Sequence, residues 1–220
     1  MSSDRKPVRP RDAASLVIHR RARGALEVLM GRRSDRARFK PGMYVFPGGG
    51  LEASDHRVKP SSTLDESVVA RLAVGGSATR AAALAHAAIR ETYEEVGVMV
   101  GEAGDIGPSK SSSWQAFRAQ GLAPPLGALA YLGRAITPSV QPIRFHARFF
   151  AVDAQYAQGE PRPSGELTDV QWVRLDAVAN LELMPVTLLM LDALARQIEA
   201  DDRRAAFLSF QHGRRQIAWI

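Results

Sequence analysis

Three glutamates stand close together near the middle of the chain, at Glu91, Glu94 and Glu95. Residues three and four apart share one face of a helix, so the three carboxylates would repel each other by roughly a few tenths of a kcal/mol per pair. A divalent cation would offset that repulsion, since Mg²⁺ and Mn²⁺ prefer carboxylate oxygens completed by waters and substrate phosphates. The spacing therefore predicts a phosphate-handling metal site, against the alternative of a solvated acidic helix face.

The sequence around these glutamates predicts a packed helix rather than a surface arm. An alanine-rich run precedes them, and its apolar residues Leu84 and Ile89 can share a buried side with Val96. Gly97 then supplies a left-handed residue at the C-terminal end. We predict a helix over 79–96 with the carboxylates in its last turns.

A glycine-rich segment lies upstream of that helix. The apolar run 43–46 breaks at Pro47 into three consecutive glycines, Gly48, Gly49 and Gly50. Such a segment permits a tight turn and a close approach of the backbone to a ligand, although on its own it is more often only a turn. Combined with the acidic helix, it gives a strand, a glycine-rich loop and a cluster of carboxylates in that order.

Phe46-Pro47-Gly48-Gly49 and Arg90-Glu91-x-x-Glu94-Glu95-x-Gly97 together resemble the signature of the Nudix hydrolases, which cleave nucleoside diphosphates linked to a further group. The resemblance implies that Glu94, Glu95 and the Gly48 carbonyl bind the principal Mg²⁺ or Mn²⁺. It implies that Glu91 is a second-metal ligand or general base, and that Arg90 has a structural role and pairs with Glu94.

The spacing of the signature departs from the family pattern. That pattern places the arginine 14 residues after the glycine, whereas Gly49 and Arg90 are 41 residues apart, so about 27 residues have been inserted. The first glutamate of the signature, eight residues before the arginine, would fall on Ala82, so its role is assigned to no residue. Thr92 replaces the usual bulky aliphatic residue, which concerns packing.

The insert spans about 53–79 and predicts a short helix. Its segment 63–66 has capping-box form ahead of apolar residues at helical spacing, and Gly75 and Gly76 close it. Such a helix could flank the active site and help to define the substrate, or it could be neutral surface decoration. Both interpretations stay open, because loop insertions cost little.

Two further segments resemble the coenzyme A diphosphatase branch of the family, of the peroxisomal type with its bacterial relatives. One is the segment 33–49, with Arg33, Arg38 and Gly42 at the motif positions; the other is the strand-like segment 144–150 after Thr137-Pro138. Met30, Gly31, His146 and Ala147 depart from the branch pattern. The resemblance implies coenzyme A or an acyl-coenzyme A as the substrate.

Several residues are predicted to contact substrate or to complete the metal site. Arg33 and Arg38 could clamp a phosphate beside Gly49, with solvated arginines as the alternative. Glu166 is the first candidate for a fourth carboxylate and Glu160 the second, with a plain turn residue as the alternative for Glu166.

Composition frames the chain as a globular cytoplasmic protein. The 220 residues are 45% hydrophobic and contain no cysteine, which fits a reducing compartment, and the apolar stretch 183–191 is too short to span a membrane. We expect a flexible basic tail over 1–12 and a single domain over 13–220. The net charge of +6 attracts polyanions in general, so it does not indicate whether the ligand is a nucleotide or RNA.

The alternation of apolar patterns predicts an α/β protein, and it agrees with the Nudix-type α/β/α sandwich around a central mixed sheet that the resemblance implies. The predicted strands are 14–19, 25–30, 43–46, 129–136, 144–152 and 170–175, and the further helices are 114–120, 176–181 and 185–200.

Three functions are consistent with these patterns. The leading one is a diphosphate hydrolase acting on coenzyme A derivatives, followed by ADP-ribose, NADH or dinucleoside polyphosphates. The others are a Nudix-fold binding module without turnover and an enzyme that processes RNA caps or ends. We expect a small nucleoside diphosphate as the partner, with no membrane and no nucleic acid, and we leave a homodimer open.

Overall fold

The computed structural model describes residues 8–37 and 40–220. Its strands are β1 (Arg11–Ala22), β2 (Ala25–Arg33), β3 (Tyr44–Val45), β4 (Gly48–Gly50), β5 (Met99–Val100), β6 (Glu102–Ala103), β7 (Leu122–Ala123), β8 (Ala130–Ile136), β9 (Phe145–Asp153), β10 (Ala157–Gln158), β11 (Leu167–Arg174), β12 (Ala206–Gln211) and β13 (Arg214–Trp219). The α-helices of this part are α1 (Glu66–Arg71), α2 (Ala78–Val96), α3 (Ser112–Ala119) and α4 (Pro185–Glu199).

Nine of the strands form one mixed sheet across the described residues. The order is β11-β2-β1-β9-β8-β12-β13, with β3 added beside β2 and β4 beside β1. Strands β1 and β9 run parallel, as do β8 and β12, and the other neighbours in this sheet are antiparallel. A mixed sheet covered by helices confirms the predicted α/β architecture.

The two faces of the sheet carry separate cores because successive strand residues point to opposite sides. Leu16 and Ile18 of β1 pack with the α2 residues Leu84 and Ile89, whereas Val17 packs on the other side with α4. The α1, α2 and α3 helices cover the first face, and α4 covers the second.

Helix α2 has the boundaries that its sequence predicts. The Ser77 side chain accepts a hydrogen bond from the Arg80 N–H at the start, and Gly97 ends the helix at φ +74° with its N–H donated to the Tyr93 carbonyl. Buried Thr92 donates its hydroxyl to the Ala88 carbonyl. The departure at Thr92 is therefore accommodated inside the helix.

The insert contributes to the core beneath α2. Helix α1 starts one residue after Asp65, whose side chain accepts from the Ser67 N–H, so the predicted capping box at 63–66 is wrong. The helix ends at Arg71, ahead of the two glycines predicted to close it. Leu72 is fully buried, and its carbonyl accepts from Arg148 Nε at 3.2 Å.

Four other segments differ from the sequence predictions. The glycines 48–50 form β4 against β1, since three extended glycines can pair closely with a neighbouring strand. The segment Leu175–Asn180 is a 3-10 turn, which follows β11 directly. Strands β5 and β6 follow Gly97 and were not predicted. The hairpin of β12 and β13 was not predicted.

The N-terminal segment predicted as a tail is partly ordered into the sheet. Strand β1 begins at Arg11, and the Asp12 carboxylate pairs with Arg80 and with Arg148. Residues 1–7 lie outside the described part of the chain. Within that part, no helix has the length and apolar character needed to cross a membrane.

Candidate active site

The glycine strand and the end of α2 meet at close range. Strand β4 pairs with β1 so that Gly48 lies opposite Ser15, and the Gly48 N–H donates to Glu95 Oε2 at 2.9 Å. A Cβ atom on Gly49 would lie 2.4 Å from the carboxyl carbon of Glu91. Because such a contact is impossible for any side chain, glycine at position 49 is what lets the Glu91 carboxylate approach the backbone.

The Arg90 guanidinium connects the glutamates of α2 to the glycine strand β4. Its side chain is 1% exposed, and Nη1 donates to Glu91 Oε1 and to Glu94 Oε2, both at 2.9 Å. Nη2 donates to the Gly50 carbonyl at 2.8 Å. Burial alone would lower the pKa of Arg90, but its bonds with Asp55 and the nearby glutamates raise it instead. The predicted pair with Glu94 is confirmed, and one guanidinium positions two glutamates and the glycine strand.

Asp55 is the counter-ion of Arg90 and was not predicted from the sequence. Its fully buried carboxylate accepts from Arg90 Nε at 2.9 Å, from Trp114 Nε1 at 3.2 Å and from the Glu52 N–H at 2.9 Å. Its carbonyl lies 2.8 Å from His86 Nδ1. Counting forward from the glycine would have found it: the signature's first acid lies 14 minus 8, or six, residues after Gly49, at Asp55.

Glu95 is the most deeply buried of the three predicted glutamates, at 6% exposure. Burial raises its pKa to about 8, the negative charges of Glu91 and Glu166 add to the rise, and the Gly48 N–H and the Arg33 charge oppose it. The carboxyl thus sits where its negative charge is poorly solvated.

Glu91 is perturbed in the same direction. Burial raises its pKa to about 7 against the opposing charge of Arg90, and the charges of Glu94 and Glu166 add to the rise. Glu94 is more open, at 38% side-chain exposure, and accepts from Ser113 Oγ as well as from Arg90. Ser113, which was not predicted as a site residue, lies on the separate helix α3.

The structure brings two of the other predicted residues to this cluster. Exposed Glu166 precedes β11, its carbonyl accepts from the Ser34 N–H at 2.9 Å, and its charge acts on both Glu91 and Glu95. Arg33 ends β2 and its charge acts on Glu95. Arg38 lies outside the described residues.

The carboxylates offer a fitting donor set but no preassembled metal cage. Over residues 8–37 and 40–220, no group of three His, Cys, Asp or Glu side chains is arranged to hold a metal ion. The hydrogen bonds given above use Glu91 Oε1, both oxygens of Glu94 and Glu95 Oε2, so internal donors hold the cluster. All the donors are oxygens, as hard divalent cations require, and buried carboxylates that repel each other favour such a cation.

A cavity of about 620 Å³ opens beside the cluster. Its lining residues come from the loop after β4, from α2 and from the start of α3; they include Glu52, Ser54, Glu94 and Lys110. A separate cavity of about 430 Å³ between α1 and α4 has none of the predicted site residues in its lining.

Comparison with known proteins identifies the class of this fold and site. The sequence pattern of the NUDIX domain matches residues 9–194. The crystal structure of a NUDIX hydrolase from Alicyclobacillus acidocaldarius is 33% identical, with 84% of this chain and 91% of that chain covered and a TM-score of 0.62. This chain therefore belongs to the NUDIX domain family, and these matches support a hydrolase.

Two more distant structures share the fold alone. The MutT NUDIX hydrolase from Burkholderia pseudomallei is 18% identical over 85% of this chain and 99% of that chain, with a TM-score of 0.50. The NUDIX domain of Shewanella oneidensis NrtR, solved with ADP ribose, is 13% identical over 89% and 95%, also with a TM-score of 0.50. None of the curated proteins matches this chain.

Proposed function

We propose that this NUDIX hydrolase cleaves a diphosphate linkage in a nucleoside diphosphate derivative with the help of a divalent cation. The observation that carries the proposal is the buried acidic cluster at the glycine strand, where Arg90 fixes Glu91 and Glu94 and the Gly48 N–H fixes Glu95. A single surface acid would need no such support. Coenzyme A or an acyl-coenzyme A leads as the substrate, on the motif segments 33–49 and 144–150.

The residues proposed to hold Mg²⁺ or Mn²⁺ are Glu94, Glu95 and the Gly48 carbonyl, with Glu91 and Glu166 as further ligands. When bound, such a cation neutralises diphosphate oxygens and lowers the pKa of water. Carboxylates that repel each other in a poorly solvated site favour this assignment, because a cation relieves the cost of their negative charges.

Side chains of the protein would take the proton, orient the phosphates and position the glutamates. Glu91 is assigned one of two roles, ligand of a second cation or general base; without a cation bound to it, burial raises its pKa to about 7, which suits it to take a proton near neutral pH in the second role. Gly49 leaves room for that carboxylate against the backbone, while Arg33 and Arg38 would orient the phosphates with their planar forks. Arg90 is fully engaged with protein groups, which supports a positioning role rather than a substrate contact.

Activity on a substrate panel tests the proposal. Coenzyme A, an acyl-coenzyme A, ADP-ribose, NADH and diadenosine polyphosphates would be incubated with Mg²⁺ or Mn²⁺ and the products identified. We expect one substrate class to be cleaved at its diphosphate linkage into two phosphorylated products, which for coenzyme A are adenosine 3′,5′-bisphosphate and phosphopantetheine, and a fall in kcat of at least about 100-fold for Glu94→Gln and Glu95→Gln. Glu199→Gln, an exposed substitution at the end of α4, is the matched control. Full turnover by Glu94→Gln would contradict the metal assignment.

A binding module without turnover is the second candidate, and capped RNA is a further substrate to exclude. A module would bind one of the small diphosphates by calorimetry yet release no product with either cation. The retention of all three glutamates argues against that outcome. A cytoplasmic location stays a prediction from the cysteine-free sequence.

A further inference from the structure

Strand β13 forms one edge of the large sheet. It pairs with β12, and within residues 8–37 and 40–220 no other strand lies on its far side. Residues 214–218 are all exposed, and Ile217 in their midst is 47% exposed. A six-residue edge without proline or bulge is a ready template for another strand.

The hydrogen-bond pattern of the hairpin identifies which edge groups are available. Ala205 and Ile220 exchange both backbone bonds, at 2.7 and 2.8 Å. Since bonded and non-bonded pairs alternate along an antiparallel ladder, the pairs formed by Gln216 and Ala218 with β12 are also bonded ones. The N–H and C=O groups of Arg215, Ile217 and Trp219 therefore point outward from the sheet.

We propose that a second copy of this chain pairs with β13 in antiparallel orientation about a two-fold axis through Ile217. In this register Ile217 faces Ile217 of the other copy, and Arg215 faces Trp219 at both ends. All three outward-pointing residues then form bonded pairs, giving six backbone hydrogen bonds that satisfy the open edge. The resulting dimer would have one continuous sheet.

The side chains are self-complementary in that register. Ile217 lies opposite Leu208 and so points to the α4 side of the sheet, as do Arg215 and Trp219. The pairing places apolar against apolar at the axis and a guanidinium beside an indole on each side of it, a contact that Arg196 already makes within the chain at 4.6 Å from the Trp219 ring centroid.

Other registers are less favourable. A shift by one bonded pair toward the hairpin turn leaves Trp219 without a strand residue opposite it. A further shift places Arg215 against Arg215, where like charges repel. The arginines at 214 and 215 also disfavour a basic partner strand, whereas the proposed register brings no cation opposite either of them.

Concentration-dependent mass measurement tests the dimer. The strand contact is small, so we expect a weak dimer that forms between about 1 and 200 μM in sedimentation equilibrium. Ile217→Lys should be monomeric across this range because it opposes two ammonium groups at the axis. Ile143→Lys, at a residue 50% exposed in the β8–β9 connection, should dimerise like wild type. A monomeric wild type, or a dimer unaffected by Ile217→Lys, would overturn the proposal.

Two further readouts do not depend on how Ile217→Lys folds. The chain has no cysteine, so Ile217→Cys carries a lone thiol that should oxidise to a covalent dimer, since bonded antiparallel pairs have Cα atoms about 5.5 Å apart. Ile143→Cys should not. In wild type, the amides of Arg215, Ile217 and Trp219 should exchange more slowly as concentration rises, while those of Gln216 and Ala218 stay unchanged. Equal slowing of amide exchange at the outward-pointing and inward-pointing residues would contradict the proposed register.

Discussion

Gly49 lies so close to the Glu91 carboxylate that no side chain larger than a hydrogen atom fits at position 49. Gly49→Ala would place a methyl group 2.4 to 2.6 Å from the Glu91 carboxylate atoms, so the carboxylate must move away from the glycine strand. We expect activity to fall by about 100-fold or more, since small displacements at reacting groups have effects of that size.

Gly50→Ala is the matched control for that substitution. A Cβ on Gly50 meets nothing within 4 Å, so its activity should stay within a few-fold of wild type in the same assay. Circular dichroism and the urea midpoint would show whether either variant alters the fold. Equal activities for the two alanine variants would disprove the packing argument.

Asp55 tests the buried ion pair beneath the cluster. Asp55→Asn keeps the shape but leaves the Arg90 charge without its buried partner, which we expect to lower the free energy of unfolding by about 3 kcal/mol or more. Urea denaturation measures this loss. Glu52→Gln removes a carboxylate that is 57% exposed and 3.8 Å from Arg90, so it should cost less than about 1 kcal/mol.

Residue types at fixed spacing predicted part of this site, and the fold supplied the rest. Glu91, Glu94 and Glu95 were found because they share one helix turn, and the glycines because they are consecutive in one loop. Asp55 lies before the insert, so the family's spacing backward from Arg90 falls on Ala82 instead, displaced by the length of the insert. Ser113 gives no sequence signal, because only the docking of α3 brings its hydroxyl to Glu94.

At the scale of elements, the packing of helix α1 tests whether the insert is neutral surface decoration. Leu72, just after its last turn, is fully buried, so Leu72→Ala should lower the free energy of unfolding by about 2 to 5 kcal/mol. Glu66→Ala, at an exposed residue in the first turn of α1, should cost only a few tenths of a kcal/mol, roughly the worth of one charge at a helix end. If Leu72→Ala and Glu66→Ala lowered the free energy of unfolding by similarly small amounts, the insert would be surface decoration.

Elements with strong local signals were predicted, and those defined by distant partners were not. Helix α2 has its cap, its periodicity and its terminal glycine within one stretch of sequence. The two-residue turn between β12 and β13 requires positive φ at both of its residues, His212 and Gly213, and only Gly213 is a residue type that signals such a turn in the sequence. The pairing of this hairpin beside β8, 70 residues away or more, could not be deduced from that turn.

At the scale of the whole molecule, the two raised pKa values predict how stability depends on pH. Glu91 and Glu95 hold protons in the folded chain up to pH values of about 7 and about 8, whereas the unfolded chain releases them near the ordinary value of 4.5. The folded state therefore binds more protons between these limits, and the free energy of unfolding should fall as pH rises from about 5 to about 8.

Urea midpoints at several pH values, in the presence of a chelator, measure this decline. Glu95→Gln removes one of the two titrating groups and should flatten the curve, while Glu199→Gln should leave it unchanged. Addition of Mg²⁺ at pH 8 should restore stability, because a cation binds the deprotonated carboxylates. A rise in stability over this interval in the metal-free protein would contradict the prediction.

The position of the insert has a consequence for engineering. The extra residues enter after Asp55 rather than at about residue 53 as predicted, so the acid that anchors Arg90 stays six residues from Gly49 however long the following segment becomes. Gly75 and Gly76 form an exposed tip with positive φ, where an added Cβ would meet nothing within 4 Å. Since doubling a loop costs only about 0.6 kcal/mol, this tip is a permissive point at which to graft an epitope or a reporter without disturbing catalysis.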